Sequence, residues 1–74
     1  MNGDELIRYL LRVKREELGF SARELSQRAG LSPSYINKVE SGEISPSLRA
    51  FSQIAEALNL NDLEVVTLCR LARQ

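Results

Sequence analysis

The chain has 74 residues, with ten Lys and Arg balanced by ten Asp and Glu, and its 43% apolar and 27% charged content places it among folded single domains. It holds no His and one Cys, Cys69, which excludes an intramolecular disulfide, a His/Cys metal cage and the commonest general base, so no catalysis, metal, cofactor or small-molecule ligand is expected. No apolar run approaches the ~20 residues of a membrane span and no signal peptide opens the chain, so the expected compartment is the cytoplasm, with no membrane partner.

No stretch sustains the period-two alternation of a strand, which predicts an all-α domain over residues 1–74, built as a compact five-helix bundle. The first segment runs from about Asp4 to Leu18. Leu6, Leu10 and Val13 form one apolar strip, Ile7, Leu11 and Leu18 a second, and Arg8, Arg12 and Arg15 line the far side. Gly19 stands where a left-handed C-terminal cap is expected. The second segment opens at Ser21, whose spacing to Glu24 fits a capping box, and ends near Ala29 before Gly30.

The third segment begins at Ser32, read as its N-cap, with Pro33 at the first helical position, and Gly42 stops it. Ile36 and Val39 are its apolar positions. The fourth starts around Pro46 or Ser47 and carries Leu48, Phe51, Ile54, Ala55 and Leu58 at spacings of three and four. Asn61 and Glu64 again have capping-box spacing and open the fifth. No repeat or linker is visible, and Met1 is read as a native start.

The second and third segments are short helices joined through a Gly-containing turn, which makes residues 21–41 a candidate helix-turn-helix. In that motif the second helix enters the major groove and the first crosses the DNA backbone. The run Ser21-Ala22-Arg23-Glu24-Leu25-Ser26-Gln27-Arg28-Ala29-Gly30-Leu31-Ser32 resembles the Xre/Cro-type phage-repressor family. So do Ile36, Val39-Glu40-Ser41-Gly42 and Pro46-Ser47-Leu48 downstream, and Arg15 upstream. The resemblance covers about residues 7–60. It implies a lambda-repressor-like five-helix fold and sequence-specific transcriptional control.

Carried over position by position, the resemblance places Ser34, Asn37 and Lys38 against base edges. Their chemistry suits this, since Asn pairs with adenine, Lys donates to guanine and Ser serves either. Tyr35 has two readings, contact with a thymine methyl or phosphate, or a shield over the helix junction. Ser21 and Ser32 are expected to bind phosphate, with Arg23, Arg28 and Ser41 as further backbone contacts. Arg15 and Glu40 are expected to form a partly buried ion pair between the first and third segments.

The chain departs from the family at Pro33, where a long polar base reader is frequent, and at Ala22, where Gln is frequent. The loop Glu43-Ile44-Ser45 is acidic and apolar where basic residues would hold phosphates. Between Phe20 and Ala50 the cations Arg23, Arg28, Lys38 and Arg49 face the anions Glu24, Glu40 and Glu43. So small an excess predicts weak nonspecific affinity, with useful affinity arising when two subunits bind together.

Leu25, Ile36, Val39, Phe51 and Ile54 are read as core and Cys69 as a small buried hydrophobe. Arg8, Arg12, Lys14 and Arg15 form either a phosphate-binding patch or, with Glu16 and Glu17 diluting it, a solvated face, the second being the preferred reading. The fifth segment carries more apolar surface than one side of the bundle needs. Residues 61–73 are therefore expected to form a homodimer interface through Val65, Leu68, Leu71 and Ala72. The resulting reading is a double-stranded-DNA-binding regulator, a repressor at a palindromic operator. The alternative is a helix-turn-helix module that docks another protein, as an antitoxin or anti-repressor does.

Overall fold

Helix-favouring runs are punctuated here by residues that accept a left-handed backbone. The first four helices all end in such a residue: Gly19, Gly30, Gly42 and Asn59, with φ of 75°, 73°, 81° and 56°. Each end is closed by the same pair of backbone bonds. At Gly42, for example, its own N–H reaches the Val39 carbonyl and that of Glu43 reaches the Lys38 carbonyl. Asn is the one residue besides Gly that visits this region routinely, which explains Asn59 at the fourth end.

The protein, seen as a computed structural model, is described over residues 3–72, apart from the side chains of Gly3, Asp4, Asp62, Leu68, Cys69, Leu71 and Ala72. The elements are α1 (Gly3–Glu17), α2 (Ala22–Arg28), α3 (Tyr35–Glu40), α4 (Leu48–Ala57) and α5 (Asp62–Ala72), with no strand among the described residues. Three N-termini carry side-chain caps: the Ser21 half of the expected box at α2, the full expected box at α5, and Ser47 at α4, where only a helix start was expected. Ser21 Oγ accepts from the Glu24 amide at 3.0 Å and Ser47 Oγ from the Ala50 amide at 3.1 Å. Asn61 and Glu64 complete a reciprocal box at 2.8 and 3.1 Å.

The third N-terminus differs from its prediction. Ser32 is not the N-cap and Pro33 is not the first helical residue, because α3 begins at Tyr35. The Tyr35 amide that a capping Ser32 hydroxyl would accept from is bonded to the Ser32 backbone carbonyl, so no side-chain cap forms there. The chain makes a tighter turn instead, with the Tyr35 amide on the Ser32 carbonyl at 3.0 Å.

The core is made by Ile7 and Leu11 of α1, Leu25 of α2 with its C-cap Ala29, Ile36 and Val39 of α3, and Phe51 and Ile54 of α4 with its C-cap Leu58. The second apolar strip of α1 is thus the buried one, although Leu18 at its end is exposed. Leu6, Leu10 and Val13 are only half-buried. Val65, expected at a dimer interface, packs against this core. Among its described side chains, the apolar residues that α5 turns outward are Leu63, 75% exposed, and Val66, 47% exposed. The expectations for Leu68, Cys69, Leu71 and Ala72 fall on side chains outside the described set.

Candidate nucleic-acid interface

A reading helix must bury one face and free the other, and α3 does both in six residues. Ile36 and Val39 are 2% and 1% exposed, whereas Ser34, Asn37, Lys38 and Ser41 are all exposed. Tyr35 is half-buried and packs against the core.

The first turn of α3 has no side-chain cap of its own, since Ser34 makes no such bond. Ser26 supplies it from α2. Its hydroxyl, fully buried, accepts from the Ile36 amide at 3.0 Å and donates to the Ala22 carbonyl at 2.8 Å. This bond satisfies an amide that would otherwise be stranded in the core and fixes where α3 starts relative to α2. Composition could not single out Ser26; only its place between Leu25 and the start of α3 reveals the role.

The far end of α3 is anchored on α1. Arg15 Nε and Nη2 donate to the two Glu40 carboxylate oxygens at 2.9 Å each, and Nη1 donates to the Phe20 carbonyl at 2.7 Å. Side-chain exposures of 13% and 11% make this a largely buried, two-pronged pair. Bonding to Glu40 holds the Arg15 guanidinium above its ordinary pKa, against the opposing effect of burial. Glu40 is thereby turned away from the reading face, and its charge is compensated.

The expected phosphate-binding residues separate into two groups. Ser21, Arg23 and Ser32 are exposed, and Ser21 Oγ is also the α2 cap. Arg28 is engaged within the domain, its guanidinium 4.5 Å from the Phe20 ring centre and 3.8 Å from the Glu24 carboxylate. Ser41 donates its hydroxyl proton to the Lys38 carbonyl at 3.0 Å, so it must break that bond to donate to a phosphate.

The helix-turn-helix family model matches residues 11–65, which takes in the whole α2–turn–α3 unit and most of the core. The chain belongs to the Xre/Cro-like helix-turn-helix family. This family consists of DNA-binding transcriptional regulators. One relative, an uncharacterized HTH-type transcriptional regulator of Sinorhizobium fredii, is 44% identical over 62 residues, covering 84% of this chain and 30% of the relative. An uncharacterized HTH-type transcriptional regulator of Methanothermobacter thermautotrophicus is 40% identical over 58 residues, covering 78% of this chain and 84% of the relative. The ImmF control region 10 kDa protein of Bacillus phage phi105 is 32% identical over 62 residues, covering 84% and 68%. The chain therefore spans under a third of the first relative and most of the other two. No solved structure matches it significantly. Among the described residues no helix is long and apolar enough to cross a membrane.

Proposed function

We propose that this helix-turn-helix protein binds double-stranded DNA sequence-specifically as a homodimer in the cytoplasm and represses transcription at a roughly palindromic operator. The observation that carries the reading is the division of α3: Ile36 and Val39 are locked inward while Ser34, Asn37 and Lys38 stand free. Each good base contact discriminates by about 1–3 kcal/mol, so two or three such side chains define a half-site. Exposed Leu63 and Val66 on α5 support the homodimer. A two-fold axis then sets the two reading helices one DNA turn apart, about 34 Å.

A second reading, a module that docks another protein, is favoured by the near-neutral balance from Phe20 to Ala50 and by Leu48, 81% exposed at the start of α4. Selection of genomic fragments by the purified protein at about 50 and 200 mM salt separates the two. A recurring inverted repeat retained at the higher salt is the expected result. Sequence-blind binding that disappears with salt would replace the DNA reading with the docking one.

A further inference from the structure

The basic residues of α1 have different partners. Arg15 is committed to Glu40, and the Lys14 ammonium lies 3.9 Å from Glu64 of α5. Arg8 and Arg12 lie on the Arg15 side of the helix. They border an open cleft of about 210 Å³ at the end of α3, shared with Glu5, Tyr9 and Glu40. Arg8 lies against Gly42, where an added Cβ would sit 3.4 Å from its guanidinium carbon.

We propose that this cleft receives a backbone phosphate of the bound DNA, with Arg8 and Arg12 as its ligands, extending the contact surface from the helix-turn-helix onto α1. The proposal rests on the DNA reading above. At 1.5 Å per residue α3 is about 9 Å long, and the major groove is about 12 Å wide, so groups just past the helix end meet the phosphate wall. Gly42 is next to exposed Ser41, and the Arg8 guanidinium lies beside it, which brings that charge to the end of α3. Glu40, which borders the cleft, does not oppose an anion there because Arg15 neutralises it. Glu5 also borders the cleft, and the Arg12–Glu16 contact of 3.9 Å is an exposed pair that a phosphate can displace.

The test is the salt dependence of binding to the selected operator, measured for the full chain and for Arg8→Gln, Arg8→Lys and Arg12→Gln. Thermal unfolding is recorded alongside. Losing one phosphate contact makes the log–log slope less negative by about 0.9 per bound subunit. Arg8→Gln is expected to show this with the ranking of operator variants unchanged, and Arg8→Lys to restore the unsubstituted slope. Arg12→Gln, at an exposed position, is expected to move the slope in the same direction and serves if Arg8→Gln does not fold. Unchanged slopes in folded variants would overturn the phosphate site while leaving the DNA reading intact, and so would a changed ranking of operator variants. Absence of any sequence preference in the unsubstituted protein would overturn the DNA reading, and this site with it.

Discussion

The hydroxyl of Ser26 and the amide of Ile36, ten residues apart, are joined by a 3.0 Å hydrogen bond from the interior of α2 to the first turn of α3. It replaces the cap that Pro33 and Ser34 do not provide. Replacing Ser26 by Ala strands the Ile36 amide in the core and is expected to cost about 1–3 kcal/mol in urea unfolding. Because the bond also sets the angle between the two helices, operator affinity should fall further than the unfolded fraction accounts for. A loss of stability with affinity per folded molecule preserved would limit Ser26 to a stabilising role.

Arg15 and Glu40 set the other end of α3. Changing Arg15 to Ala leaves a largely buried carboxylate without its partner and is expected to destabilise by about 3–5 kcal/mol, measured by denaturant titration. DNA binding lost in this variant should return in proportion to the folded fraction at lower temperature. The pH dependence follows from the raised Arg15 pKa. A raised cationic group stabilises fully below its unfolded-state value and loses that contribution only as pH rises through the folded one. The Arg15 contribution is therefore flat through neutrality and declines only in strong alkali, a trend that unfolding midpoints across pH would show.

Lys38 is exposed and is the last-turn cation of α3, so truncating it leaves the core untouched. Lys38→Ala is expected to relax operator preference at one base pair by about 1–3 kcal/mol while the thermal midpoint stays nearly constant. An unaltered footprint from the folded variant would remove Lys38 from the reading set.

Val65 and Leu63 lie two residues apart on α5 and face different surroundings, the first packed on the core and the second 75% exposed. Val65→Ala should lower stability by about 1–3 kcal/mol, as truncation of a partly buried aliphatic side chain does. Leu63→Glu should leave the fold intact and weaken self-association. Sedimentation equilibrium distinguishes the two, and an unchanged association constant for Leu63→Glu would exclude that face from the dimer.

Gly42 carries a left-handed backbone at φ 81° with the Arg8 guanidinium against it. Gly42→Ala is expected to cost about 1–2 kcal/mol from the backbone alone, measurable as a lowered denaturation midpoint.

Local chemistry made much of this protein legible. Ser21, Ser47 and Asn61 act on amides three residues away, and the glycines ending α1 to α3 act on their own turns, so those boundaries follow from short-range residue order. The apolar spacing of Leu48 to Leu58 likewise identified the buried face of α4, apart from exposed Leu48 itself. Family motifs, rather than spacing, suggested Arg15 with Glu40 and the outward side chains of α3. The start of α3 was misplaced because Ser32-Pro33 has the local form of a cap, and a short sequence window cannot register that Ser26 already serves the amide of Ile36.

By itself, then, the sequence determined that the chain is helical and where most helices stop, since both depend on contacts within one or two helical turns, and its motifs carried the family. The tertiary structure decided which of the two α1 strips is buried, that Val65 faces inward while Leu63 faces out, and that Arg15 turns toward α3 while Lys14 turns toward α5. Those outcomes depend on how helices far apart in the chain are placed against one another. Hydrophobic periodicity within a single helix specifies that a face will be covered, but the element that covers it is chosen by packing.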